Sequence, residues 1–458
     1  MNQGKDTRLG TEKVSRLLFR LAIPAVLAQI VNMLYNVVDR IDIGHMPLTG
    51  ADALSGLGVC TPLIFIIAAF AALLYFGSAA KASMSMGRGE PETAQRIMGG
   101  ACTLLIAVSL VLTVLSELLA EKLLFLFGAS EVTIRYALPY FRIYACGSVF
   151  VSLTLGMNAF ITAQGFAKTG MITVVIGAVC NIVLDGVFIY GFNMGVQGAA
   201  LATVISQAVS AVWALRFLRG SKTVLRLRRD CMRPDWKLML PCIALGASPF
   251  IMQATESVLN ICFNSSLLKY GGDLAVGAMT ILMTVVQCAL MVVMGFSQGA
   301  TPIISYNFGA KNAERVRAAF RLLLLVNTVF TVLVWLVCQL FPTTVTGIMA
   351  GNAELRTFSA WALRIYTATL FMFGIQCTCQ QSFIAIGNAP VSMFLAILRK
   401  IILLIPLIYI LPHFFEDKTF AVYLAEPIAD AVAAVTTGIL FAYHFKKALA
   451  GLKAERAQ

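Results

Sequence analysis

The order small-residue helix end, glycine-bearing turn, acidic helix start occurs twice in this chain. It runs from Gly77 through Lys81, Gly87 and Glu92, and returns from Gly299 through Thr301, Gly309 and Glu314. Both glycine pairs are about 222 residues apart, the signature of a sequence built from two copies of one repeat. Gly58 to Thr61 aligns with Gly277 to Thr280, and Gln29 and Asn36 align with Gln253 and Asn260. A chain of two like halves is predicted to hold its working site between them.

Each copy consists of long apolar runs, so the medium matters. Hydrophobic residues make up 59% of the chain and charged residues 12%. A soluble domain carries roughly twice that charge. The fold class is therefore an all-α integral membrane protein, because the runs have the length of spanning helices and exceed a barrel strand of about 10 residues. Twelve spans are expected at approximately 17–41, 53–81, 94–118, 132–164, 169–191, 195–218, 238–268, 274–305, 314–341, 356–386, 391–412 and 421–445, in two six-helix pseudo-symmetric bundles. Residues 1–218 form an N-lobe, 219–237 a basic linker and 238–458 a C-lobe. No cleavable signal is evident ahead of the first span.

The net charge of +13 suggests topology rather than nucleic acid. Arg and Lys gather at 5–20, 81–96, 216–237, 311–321 and 446–456, which the positive-inside rule places in the cytoplasm together with both termini. The expected setting is the plasma membrane of a bacterial cell, with the protein a monomer among lipids and without a cofactor. The 11 Cys lie mostly in apolar runs, where a thiol behaves as a small apolar side chain.

Ionisable side chains inside a bilayer are expensive and call for a reason. Asp185 stands in the fifth span with Asn181 one turn earlier on the same face. At about 1.5 Å of rise per residue, Asp185 lies about 9 Å below the outer end of its helix and Thr203 about 12 Å, and Asp39, near the outer end of the first span, is expected at a similar depth. The four oxygen-bearing side chains can meet at one level. Two carboxylates in a confined pocket stay ionised only with a cation between them, and otherwise one takes up a proton. Hard oxygen ligands suit Na⁺ or H⁺ alike. A capping role for Asp39 and Asp42 at the outer interface, with Arg40 as partner, is the competing reading.

Two polar stripes complete the inventory. Gln29, Asn32 and Asn36 in the first span, with Tyr35 beside them, correspond to Gln253, Glu256 and Asn260 in the seventh. Facing one another across a two-fold axis, they would line a wet cavity in which Glu256 attracts cations. Arg399 and Lys400 are expected to snorkel to the cytoplasmic face. Glu426, Pro427 and Asp430 are expected to open the twelfth span, where acids suit a helix N-terminus.

The twelve spans, with Pro24, Tyr35 and Asp39 in the first and Asn181, Asp185 and Thr203 in the fifth and sixth, resemble the multidrug and toxic compound extrusion (MATE) family over nearly the whole chain. The Gln164-Gly165 turn, echoed by Ile386-Gly387, and the turns around Gly87 and Gly309 carry the likeness further. The resemblance implies an exporter of cationic amphipathic compounds, exchanged for Na⁺ or H⁺ by alternating access. It implies that Asp39, Asn181, Asp185 and Thr203 form the cation site and that the first helix bends at Pro24. In the tenth span Gln376, Gln380 and Gln381 stand where some relatives carry an acid, so coupling is expected to rest on the N-lobe. The rival is a lipid-linked oligosaccharide flippase of related architecture, which needs basic residues in the cavity to hold a pyrophosphate. An enzyme is not expected, since His45, His413 and His444 sit near span ends with no nucleophile or metal set around them.

Overall fold

In lipid every backbone N–H and C=O must find its partner within the chain, and an apolar sequence this long answers with helices. The computed structural model describes residues 7–44, 46 and 50–457. Lys5 and His45 lie outside the described residues. The helices are α1 (Thr7–Thr11), α2 (Val14–Gly44), α3 (Gly50–Gly87), α4 (Pro91–Leu126), α5 (Ile134–Cys146), α6 (Ser148–Ala163), α7 (Ala167–Asp185), α8 (Gly195–Arg219), α9 (Trp236–Gly309), α10 (Ala313–Leu340), α11 (Pro342–Gly347), α12 (Ala353–Tyr366), α13 (Leu370–Ala385), α14 (Ala389–Ile397), α15 (Ile405–Ile410) and α16 (Lys418–Ala457). Two π-helical stretches, Gly186–Gly191 and Leu398–Leu404, extend α7 and α14.

Nine of these helical stretches are long and apolar enough to cross a membrane, and two bent pairs raise the number to eleven among the described residues. The twelfth comes from α9, which is interrupted at Gly272 with φ 66° and ψ −164°. That conformation is open essentially to glycine alone. Gly272→Ala is therefore expected to destabilise the protein by ~1–3 kcal/mol, read as a lower melting temperature of the purified protein.

The repeat reappears in three dimensions. Gly165 and Gly387, 222 positions apart, end their helices at φ 86° and 83°. Gly89 has its counterpart in Lys311, which takes a positive φ of 55° without being glycine. The fourth and tenth spans are each broken: α5 meets α6 at 52° across Gly147, and α12 meets α13 at 49° across residues 367–369. Hydropathy reads both as single spans, because a bend inside an apolar run leaves no polar mark.

At the end of the molecule that carries the basic turns, the two halves exchange their first helices. Leu17, Leu18 and Leu21 of α2 are buried in a core with Ile303, Phe320 and Phe383 of the second half. Met239 and Cys242 of α9 are buried in a core with Met98, Leu105 and Phe160 of the first. Close approach makes the exchange feasible. A Cβ on Gly77 would lie 2.0 Å from the Cys242 carbonyl, one on Gly246 1.9 Å from that of Leu73, and one on Gly299 2.5 Å from Ala22. The α3 and α9 helices cross symmetrically: Gly87 abuts the Tyr306 carbonyl and Gly309 the Met84 carbonyl. The expected boundary between lobes at 218 and 238 describes the chain, while the packing at this end crosses it.

Away from the basic end the halves separate. On α3, Ala79, Ala80, Ala82 and Met84 are buried, whereas Leu54, Ser55, Gly58 and Phe65 near the other end are exposed. The first helix shows an unbroken exposed apolar stripe, Phe19, Ile23, Leu27, Ile30, Leu34, Val37 and Ile41, suited to lipid. Pro24 sits inside α2 and Pro249 inside α9. Each exchanged helix thus has a proline near its crossing, the second of which the sequence reading did not single out.

The basic segment between the halves is strapped down. The Gln164 Oε1 accepts hydrogen bonds from Thr223 Oγ1 and from the Val224 and Leu225 N–H groups at 2.7–2.9 Å. Thr103 Oγ1 donates to the Met232 carbonyl at 2.6 Å, and Gly99 lies against the Cys231 carbonyl. Asp235 then caps α9 by accepting from the Lys237 N–H at 3.0 Å.

Candidate functional site

The N-half pocket forms where α2, α7 and α8 meet. Asp185 ends α7, its side chain turned inward with no exposure; Asn181 is 1% and Asp39 8% exposed. Asn181 Nδ2 points to Thr203 Oγ1 at 3.5 Å, while that hydroxyl donates to the Ala199 carbonyl at 3.0 Å. Asp185 lies within range of the Asp39 charge. Among the described residues, Asp39 Oδ1, Asn181 Oδ1 and both Asp185 carboxyl oxygens are buried without a hydrogen-bond partner. Buried acceptors are almost always satisfied. Four orphans from three neighbouring side chains fit a bound cation, either a proton or a small hard ion held by oxygens.

Asp39 is therefore not an exposed interfacial cap, and no ion pair joins it to Arg40 among the described residues. Near it, the Tyr190 hydroxyl donates to the Asp42 backbone carbonyl at 3.1 Å and lies 3.4 Å from its Oδ1. Tyr140 and Tyr144 of the bent fourth span, both buried, stack near the pocket, with Tyr140 within range of the Asp39 charge. The sequence reading missed them; their spacing of four in an apolar run was the available signal.

The polar stripes fall partly as expected. Gln29 bonds across the halves, donating from Nε2 to Gln298 Oε1 at 3.2 Å. Asn32, Tyr35 and Gln253 are half-buried, and Asn36 is exposed with its amide donating to the Asn32 carbonyl at 2.6 Å. Asn260 Nδ2 donates to the Glu256 carbonyl at 3.0 Å. In the tenth span Gln376 and Gln380 are buried, and Gln380 Nε2 donates to Ser248 Oγ at 3.0 Å.

The largest departure is in the second half. Arg399 and Lys400 do not snorkel; each is 6% exposed. They lie on the π-helical stretch, which turns two consecutive basic residues into the bundle. Arg399 donates from Nε to Asp430 Oδ1 at 2.6 Å and from Nη2 to Glu426 Oε1 at 3.1 Å, and its guanidinium lies 5.0 Å from the centre of the Phe373 ring. Lys400 Nζ donates to Glu256 Oε2 at 2.7 Å. Glu426 and Asp430 therefore do not cap the twelfth span, since α16 begins at Lys418 and both are buried two to three turns in. Glu256, expected as a free cation attractor, is already paired with a base.

Comparison with known proteins follows the same lines. The MatE family model matches residues 24–187 and 249–410, one match in each half. The multidrug export protein MepA of Staphylococcus saprophyticus is 22% identical over 429 residues, covering 92% of this chain and 93% of its own. MepA of Staphylococcus aureus (strain N315) is 21% identical over 433 residues, 93% and 94% of the two chains. Among solved structures, a multidrug resistance MATE family transporter in an outward-facing conformation superposes with a TM-score of 0.89 at 22% identity, covering 96% of this chain and 98% of that one. A MOP superfamily transporter from Pyrococcus furiosus, described as having a binding pocket of reversed polarity, gives 0.89 at 22% identity over the same shares.

Proposed function

Since the chain belongs to the MatE family, we propose that it is a secondary active multidrug exporter, moving cationic amphipathic compounds outward in exchange for Na⁺ or H⁺. The observation that carries the reading is the set of four unpartnered buried oxygens on Asp39, Asn181 and Asp185. A burial of this kind costs several kcal/mol for a charged group left unpaired. Loading the pocket with a cation removes that cost, and the orientation that makes the pocket fit the cation best is the one the ion favours. A drug held between the halves favours the other orientation, and the two ligands are then coupled through one equilibrium.

By the positive-inside rule the closed end, which carries the basic turns, lies in the cytoplasm. On that reading the halves stand open toward the outside, with both termini cytoplasmic and the protein a monomer in the plasma membrane. The flippase reading is disfavoured by the second half, where three acids, the buried Glu426 and Asp430 and the half-exposed Glu256, outnumber two bases and hold both of them. A pyrophosphate would find both bases already held by acids.

The deciding experiment is transport of a fluorescent cationic dye by the full-length protein in proteoliposomes under imposed Na⁺ or H⁺ gradients. Efflux driven by either ion supports the exchanger; no response to either ion rejects it. Asp39→Asn is expected to slow gradient-driven efflux about tenfold, a loss of ~1.4 kcal/mol of coupling. Unchanged ion dependence in that variant would return Asp39 to a structural role.

A further inference from the structure

In the second half acidic side chains outnumber basic ones. Glu256, Glu426 and Asp430 are paired with only Arg399 and Lys400 among the described residues. Arg399 is committed to two acids at once. Lys400 serves Glu256 alone by a direct bond, and the two partners differ in access: the Lys400 side chain is 8% exposed and that of Glu256 41%. On α9, Glu256 shares a polar stripe with Gln253, Asn260 and the exposed Asn264, apart from the apolar exposed stripe of Leu240, Val258, Ile261 and Leu268. Its open side therefore faces the wet space between the halves rather than lipid.

We propose that Lys400 is a tethered cation that occupies Glu256 in the empty protein and is displaced by the cationic group of a substrate, so that Glu256 is a docking point for compounds carrying one positive charge. The inference rests on the exporter reading above and names the chemistry by which the cavity selects. The displaced ammonium has somewhere to go. Among the described residues Glu426 receives one direct hydrogen bond, from Arg399, and it already lies within range of the Lys400 charge. A four-carbon stem with rotatable donors can make that swing, which a rigid guanidinium could not. An anion would find Lys400 buried behind its partner, and a neutral compound would gain nothing from displacing it. The lysine thus sets a threshold that only a cation passes.

The test is equilibrium binding of tetraphenylphosphonium, a permanent monocation, to the purified full-length protein. Glu256→Gln is expected to weaken binding about tenfold, and Lys400→Met, which frees the carboxylate, to tighten it about tenfold; each corresponds to ~1.4 kcal/mol. Lys400→Arg, which keeps the pair but cannot make that swing, should bind more weakly than wild type. In the double variant Glu256→Gln/Lys400→Met the gain from removing the lysine should vanish, because the two act on one another. A Lys400→Met protein that elutes as a folded monomer and binds no more tightly overturns the proposal, as does a gain that survives in the double variant. Should Lys400→Met fail to fold, Glu256→Gln decides alone: unchanged affinity overturns the idea. These are binding measurements without a gradient, so a failure of ion-coupled export and a failure of this inference are read separately.

Discussion

Asp185→Asn is expected to reduce gradient-driven efflux about 100-fold, a loss of ~2.7 kcal/mol of coupling, while the protein folds and inserts normally. Asparagine has nearly the same shape, so the packing at the end of α7 persists. What disappears is a fully buried carboxylate whose two oxygens have no hydrogen-bond partner. Removing an uncompensated buried charge relieves a desolvation cost, so the variant should melt no lower than wild type in the absence of coupling ion. Loss of transport together with loss of expression would point to a folding role instead. Drug resistance at wild-type level, at matched expression, would take Asp185 out of the mechanism.

The second large effect concerns the closed end. Gly309→Val is expected to abolish dye efflux, because its Cβ would lie 2.0 Å from the Met84 carbonyl oxygen and neither backbone can yield. Gly87→Val meets the Tyr306 carbonyl at 1.9 Å and should behave alike, as befits positions related by the repeat. Interiors are packed like crystals, so relief must come from the halves moving apart rather than from local adjustment. Both variants should therefore populate the form open at the basic end, with Ser83 and Ser305, buried as the structure stands, becoming reactive when replaced by cysteine in a cysteine-free background. Gly438→Val, with nothing within 4 Å, is the control and should transport normally. Protected cysteines in an active Gly309→Val protein would show that this crossing does not have to close.

How much of this is legible in the sequence differs from residue to residue. The internal repeat is carried by glycines whose conformations and contacts depend on lacking a side chain, so Gly87, Gly165, Gly309 and Gly387 mark their turns by residue type and spacing alone. Asp185 and Asn181 are legible because a carboxylate and an amide one turn apart in an apolar run have few innocent explanations. The pairing of Glu256 with Lys400 is not, since the two are 144 positions apart and depend on a π-helical turn that no hydropathy pattern records. Arg399 and Lys400 near a span end suggest the cheaper option of reaching water, and the acids that hold them inside belong to other helices. The exchange of first helices is equally hidden: Leu18 and Cys242 are apolar whichever half they face.

The strap beneath the first half has a mechanical consequence. Residues up to Met232 are fastened to α4 and Gln164, and Asp235 already belongs to the start of α9. Only two residues, Arg233 and Pro234, on the order of 7 Å of extended backbone, remain to absorb any displacement there. That corner acts as a fulcrum. A sliding motion of one half past the other would tear it, whereas a rotation costs it little, and leverage does the rest: the 236–271 arm spans about 54 Å, so a swing of about 15° carries its far end through roughly 14 Å.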